Sequence, residues 1–197
     1  LEPLAAAGVP LNVTLLFTHA QVEQARDAIW RGASRLPSLG SFKSVYSVFV
    51  SRVDVWASKH APDLSAAARG QTAIVNAKRI WNANRLFWER HPTPLAQSIV
   101  FASTGVKEAG VDPCRYVAAL AGADIQTNPP ATNRAAEDSG REFTRQVDQL
   151  PPADVLAELD ARIDVARMGT ELLAEGIAKF VAPQHDLLAL VRAKRTA

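Results

Sequence analysis

LNVTLLFTHAQ, Leu11–Gln21, carries the decision about the fold. Leu11, Val13, Leu15 and Phe17 alternate with Asn12, Thr14 and Leu16, which is the two-residue period of a strand. Thr18 and Gln21 follow at the spacing of a capping box. Val22, Ala25 and Ile29 then run on as the apolar stripe of a helix, with Gly32 as its expected stop. A strand that feeds straight into a helix is the first half of a βαβ unit. The alternation puts Leu11, Val13, Leu15 and Phe17 on a face suited to packing under helices, and Asn12 and Thr14 on the other.

Working outward, the same alternation of element types recurs. SVYSVFVS, Ser44–Ser51, reads as a second strand, and a loop with Pro62 and Gly70 is expected after it. TAIVNAKRIWNANRLFWER, Thr72–Arg90, is a long helix with Ile74, Ala77, Trp81 and Trp88 along one face. SIVFAST, Ser98–Thr104, is a third strand, a short helix is expected around Pro113–Ala121, and ADIQTN, Ala123–Asn128, is a fourth strand. Helices are expected over Thr132–Ser139 and Pro152–Arg167, then in two segments up to Arg195 broken near Pro183. Strands alternating with helices give a parallel sheet covered by helices. In such a sheet both faces are usually buried. The hydroxyl and amide of Thr14 and Asn12 then need partners, either in a satisfied core network or in a site. LEPLAAAG, ahead of the first strand, reads as the tail of a helix closed by Gly8, and the sequence has its one methionine at Met168. The expectation is that further chain precedes Leu1.

Composition narrows the classes. The 197 residues suit one domain, and 48% hydrophobic with 21% charged residues is ordinary for a globular chain. A net charge of +2, spread along the chain, is no footprint for nucleic acid. No stretch approaches the roughly 20 apolar residues of a membrane span. Cys114 is the one cysteine, which excludes an internal disulfide and suits a reducing cytosol. His19, His60, His91 and His185 have no ligand spacing with each other or with Cys114, so no metal site is proposed. No Gly-rich nucleotide loop occurs, and no cofactor is implied. The four tryptophans read as packing residues.

Five segments occur in a telling order: LNVTLLF (Leu11–Phe17), SVFVSRVDVW (Ser47–Trp56), ASTGVK (Ala102–Lys107), TNPPAT (Thr127–Thr132) and EGIAKF (Glu175–Phe180). Together they resemble the transaldolases over nearly the whole chain. The resemblance implies a (β/α)8 TIM barrel, with residues 1–197 as the C-terminal portion of that single domain, carrying strands five to eight and the terminal helices. It implies transfer of a dihydroxyacetone unit between sugar phosphates through a lysine Schiff base, in the pentose phosphate pathway of the cytoplasm. In the family that lysine and two acidic proton-transfer residues lie ahead of NVTLLF.

Position by position, Asn12 resembles the amide that bonds the three-carbon unit, and Thr14 the hydroxyl that orients the catalytic water. Ser47 resembles a substrate-contacting hydroxyl and Phe49 the ring beside it. Arg52, Ser103 and Lys107 resemble the phosphate site. The chemistry agrees: a guanidinium meets a phosphate in bidentate fashion, and Gly105, between Ser103 and Lys107, would let backbone approach an anion. Barrels of this type bind phosphate near strands seven and eight. Simpler roles stay open, with Arg52 paired to Asp54 at the surface and Lys107 solvated in a loop. None of the six lysines lies mid-strand, and none is assigned as the nucleophile. The terminal helix is expected either to cover the barrel mouth or simply to pack. A second function from a different class also stands. The chain could be a non-catalytic half-barrel that binds sugar phosphate or a partner chain. Its two exposed edge strands would favour poor solubility or a homodimer.

Overall fold

The computed structural model describes residues 1–195. Four strands, β1 (Leu11–Leu16), β2 (Ser44–Phe49), β3 (Ser98–Ala102) and β4 (Ile125–Gln126), form one sheet in the order β1-β2-β3-β4, with every pairing parallel. Between and after them come α1 (Glu2–Ala6), α2 (His19–Ala33), α3 (Ser51–His60), α4 (Thr72–Arg90), α5 (Arg115–Ala119), α6 (Pro130–Asp138), α7 (Ala153–Arg162) and α8 (Val165–Arg195). No helix among the described residues is long and apolar enough to cross a membrane.

The sheet has two unlike faces. Ser44, Tyr46, Val48, Ile99 and Phe101 share one face by register, and each is 0% exposed beneath the helices. Burying each large apolar chain there contributes about 1.5–3 kcal/mol. The other face carries Asn12, Val45, Ser47, Phe49, Val100 and Ala102, and of these only Ser47 is buried. Asn12 and Thr14 are exposed rather than enclosed.

The expected alternation in β1 holds only as far as Val13. The pairing runs Leu11 with Ser44 and Val13 with Tyr46, but Leu16 with Val48, so one extra residue enters β1. Leu15 takes φ 58° at this bulge, and Leu16, not Leu15, ends up buried. A bulge shifts the side-chain parity of everything beyond it. Leu15 instead meets α8, where a Cβ on Gly176 would stand 2.9 Å from its Cδ2.

The capping box opening α2 is present in both directions. The Gln21 backbone N–H donates to Thr18 Oγ1 (3.3 Å), and Gln21 Oε1 accepts from the Thr18 N–H (3.1 Å). Gly32, however, does not stop the helix, which runs to Ala33. Its missing side chain admits α1: a Cβ there would lie 2.3 Å from the Glu2 carbonyl and 2.8 Å from Ala5 Cβ. Gly32→Ala is therefore expected to undock α1 at a cost of about 1–3 kcal/mol, the range for overpacking. Urea unfolding checks the cost, and hydrogen exchange over residues 1–8 checks the undocking.

The fourth strand is shorter than expected, Ile125–Gln126 rather than Ala123–Asn128, and three larger differences concern the helices. Residues 51–60 form α3 where a loop was expected, because β2 ends at Phe49 and the backbone turns at once. The break before the last helix falls at Ile163–Asp164, where the Asp164 carboxylate accepts from the Arg167 N–H at 2.9 Å as an N-cap. The chain then stays helical through Pro183. A proline removes one ladder bond, but helical turns on both sides spare the cost of a new nucleus.

Candidate functional site

α3, α8 and the segment that follows β3 enclose a cleft of about 590 Å³, lined by Arg52, Ser103 and Lys107 of the expected site residues but not by Asn12, Thr14, Ser47 or Phe49. Asn12 and Ser47 stand side by side on the open face of the sheet, and Ser47 Oγ donates to Asn12 Oδ1 at 2.8 Å. With Oδ1 engaged, the Nδ2 hydrogens of Asn12 are the groups offered to a ligand. Thr14, two residues on at the start of the bulge, is also exposed. Phe49 closes β2, its ring 5.6 Å from that of Phe17 and 5.2 Å from the Arg52 guanidinium carbon.

Arg52, Ser103 and Lys107 come from two separate segments and line the same cleft. The parallel ladder continues past the strand ends to hold them: the Val50 N–H donates to the Ala102 carbonyl and the Ser51 N–H to the Ser103 carbonyl, both at 2.9 Å. Ser51 Oγ and Ser103 Oγ are 3.0 Å apart. Ser103, at φ 56°, is the residue in the left-handed region here, an uncommon conformation for serine that marks a constrained turn. Gly105 also packs closely against the neighbouring loop. A Cβ on it would lie 3.0 Å from Pro129 Cγ, so its smallness lets the loop pack against Asn128-Pro129-Pro130. Thr104 Oγ1 fixes the same contact, bonding Asn128 Oδ1 at 2.6 Å and the Thr127 carbonyl at 3.1 Å.

Arg52 does not pair with Asp54. Positions two apart on a helix point apart, and Asp54 turns inward, 7% exposed. Its carboxylate accepts from the Ala73 N–H and from the Tyr116 hydroxyl, each at 2.8 Å. Arg52 Nη1 is buried and without a hydrogen-bond partner among the described residues. A desolvated guanidinium nitrogen with no acceptor is an anomaly that an incoming anion would resolve.

Reading the sequence missed the cleft's other walls. Trp56, Lys59 and His60 on α3 and Glu171, Glu175 and Lys179 on α8 all line it. The α3 residues repeat from Arg52 at helical spacing, and the helix itself was signalled by Asp54 in its first turn, Lys59 and His60 in its last, and Pro62 beyond. Among the described residues no group of three or more His, Cys, Asp or Glu could hold a metal ion.

Comparison with known proteins identifies the family. The family model for transaldolase/fructose-6-phosphate aldolase matches residues 1–191. A transaldolase of Neisseria gonorrhoeae is 34% identical over 207 residues, covering 96% of this chain and 57% of that protein. Transaldolase 2 of a Nostoc species is 31% identical over 219 residues, covering 95% and 57%. A transaldolase of Thermobifida fusca is 32% identical over 203 residues, covering 93% and 55%. The chain thus spans a little over half the length of these relatives. Four parallel strands with helices between them are what part of a (β/α)8 barrel requires. The five ordered segments, the parallel sheet and the family match agree: the chain belongs to the transaldolase/fructose-6-phosphate aldolase family.

Proposed function

We propose that this chain is the sugar-phosphate-holding part of a transaldolase, corresponding to strands five to eight of its barrel. The complete enzyme transfers a dihydroxyacetone unit from a ketose phosphate to an aldose phosphate, in the cytoplasmic pentose phosphate pathway. Arg52, Ser103 and Lys107 take the phosphate. Asn12 and Ser47 bond the three-carbon unit, Phe49 flanks it, and Thr14 orients the water that takes part in making and breaking the imine. The observation carrying this reading is the meeting of Arg52, Ser103 and Lys107 in one cleft; the hydrogen-bonded pair Asn12–Ser47 supports it from the sheet, outside the residues that line that cleft.

An imine-forming lysine must reach the substrate carbonyl from the inner face of the barrel. The paired inner-face positions of β1–β4 carry no lysine among the described residues. Lys43 sits at the opposite end of the strands, bonded to the Ala96 carbonyl and Ser98 Oγ. Lys78 packs on α4, donating to the Gln149 carbonyl at 2.6 Å. In our reading the nucleophile comes from a strand outside these 197 residues. Borohydride reduction in the presence of fructose 6-phosphate tests this. The expected result is binding without a covalent adduct on any of the six lysines here, and trapping on a lysine outside this stretch in a longer protein containing it. An adduct on Lys107 would overturn the phosphate role.

A further inference from the structure

We propose that Glu171 is a positioning residue that clamps α8 to α3 and so fixes the α8 wall of the cleft. The inference deepens the sugar-phosphate reading and, in its consequence for ligand affinity, rests on it. Arg52, Trp56, Lys59 and His60 recur on α3 at i, i+4, i+7 and i+8, a single helix face turned to the cleft. Glu171, Glu175 and Lys179 recur on α8 at i, i+4 and i+8, facing them.

Glu171 spans the gap. Its Oε2 accepts from Trp56 Nε1 at 2.7 Å and stands 3.5 Å from His60 Nε2. Its Oε1 accepts from Arg167 Nε at 2.8 Å. The Arg167 guanidinium, and then the Trp56 indole, hold the Glu171 carboxyl below the usual carboxylate range. The His60 ring lies stacked on Trp56, centroids 4.2 Å apart and planes 16° from parallel, with Nδ1 2.9 Å from the Trp56 carbonyl. A carbonyl oxygen can only accept, so Nδ1 carries a proton and Nε2 is the atom turned toward Glu171. Its two oxygens are thus engaged from α3 by Trp56 and from one turn back on α8 by Arg167, which ties α8 to α3 at this turn.

The neighbouring turns of α8 are closely fitted as well. A Cβ on Gly169 would lie 2.7 Å from Thr18 Cγ2, and Gln21 Nε2 donates to the Gly169 carbonyl at 3.2 Å. Gly176 sits against Leu15. Glu171 lies between these two close approaches and is the link to α3. One and two turns further on, Glu175 and Lys179 form a 3.6 Å ion pair over the cleft. At about 1.5 Å rise per residue they stand about 6 and 12 Å along the axis from the clamp. A small rotation at Glu171 moves the Lys179 ammonium relative to Arg52 and Lys107, and therefore changes how well the cleft meets an anion.

The experiment uses the 197-residue chain labelled with ¹⁵N, with the Trp56 indole resonance assigned by Trp56→Phe. Glu171→Ala removes the acceptor and the charge, whereas Glu171→Gln keeps an acceptor for the indole. Three quantities are read: the indole resonance, hydrogen exchange over residues 170–180, and fructose 6-phosphate affinity by calorimetry. In Glu171→Ala the indole resonance is expected to move, exchange to speed up about tenfold, and affinity to fall about tenfold, the scale of one charge-assisted hydrogen bond. Glu171→Gln should restore the indole resonance and part of the affinity. Wild-type exchange in Glu171→Ala overturns the clamp, and a loosened α8 with unchanged affinity in a chain that binds fructose 6-phosphate overturns its hold on the cleft. A wild-type chain that ignores fructose 6-phosphate, with α8 still loosened by Glu171→Ala, supports the clamp and sinks the sugar-phosphate reading.

Discussion

Between about pH 4 and about pH 7 the wild-type chain is expected to lose about 3 kcal/mol of unfolding free energy that Asp54→Asn retains. Asp54 is deeply buried between α3 and the start of α4, and burial pushes its carboxyl from 3.8 up to about 6. The Ala73 N–H and Tyr116 hydroxyl pull the other way without cancelling that cost. As pH rises from the acid side, the unfolded chain ionises first, near 3.8, while the folded chain still holds its proton. Stability therefore falls across the window between the two values and levels off above about 6. A gap of about 2 pK units at about 1.4 kcal/mol each gives the magnitude. Asparagine offers the same oxygen to Ala73 and a donor to the Tyr116 hydroxyl, with no charge to desolvate. Asp54→Asn should thus equal wild type near pH 4 and exceed it above pH 6.

Asp54→Ala behaves differently, because it orphans two buried donors. One is the Ala73 N–H, which lies in the first turn of α4, a helix whose own Gln71 supplies no side-chain cap. Each unsatisfied donor costs about 1–3 kcal/mol, so this variant should fall below wild type most at acid pH and least above pH 6. Urea midpoints of all three proteins at about pH 4.5 and about pH 7.5 decide the matter. Parallel pH profiles for wild type and Asp54→Asn would mean that Asp54 ionises at an ordinary pH, and the account of its burial would be wrong.

Asp54 also illustrates what the sequence could and could not give. Long periodic stretches were legible: the Thr72–Arg90 helix appears with the bounds its apolar stripe implies, and the Thr18–Gln21 capping box forms as spaced. These features depend on neighbours within about one or two turns. The misses share a different cause. The bulge in β1 depends on register with β2, and Gly32 acts through α1, which packs on it from across a loop. The pairing of Asp54 with Tyr116 spans 62 residues. Glu171 could not be linked to Trp56 by spacing, because 115 residues separate them. For the candidate site, the family motifs point to residues at the strand ends, and Arg52, Ser103 and Lys107 share one cleft. The α3 wall escapes because the motif SVFVSRVDVW reads as a strand plus loop, which hides the helical spacing of Arg52, Trp56 and His60; the terminal helix is expected at the barrel mouth, but not which of its side chains face the cleft.

That helical placement is what makes Arg52 the second decisive test. Set in the first turn of α3, its guanidinium lies beside the Phe49 ring at the cleft, with Nη1 buried and lacking an acceptor. Two charge-assisted bonds to one phosphate would satisfy it, and losing them corresponds to about 30–100-fold in affinity. Arg52→Ala is expected to weaken fructose 6-phosphate binding by that factor. Arg52→Lys keeps the charge but not the planar fork, and should lose about tenfold. Unphosphorylated fructose should bind weakly and equally to all three proteins, because the lost contacts are to the phosphate alone. Calorimetric titration at two salt concentrations reads all of this, with the phosphate-dependent part shrinking as salt rises. Ser103→Ala should cost less than Arg52→Ala, since its hydroxyl is already shared with Ser51 at 3.0 Å. Equal affinity of wild type and Arg52→Ala for the phosphorylated sugar would return Arg52 to a packing role against Phe49. The cleft between α3 and α8 would then need a ligand of different charge.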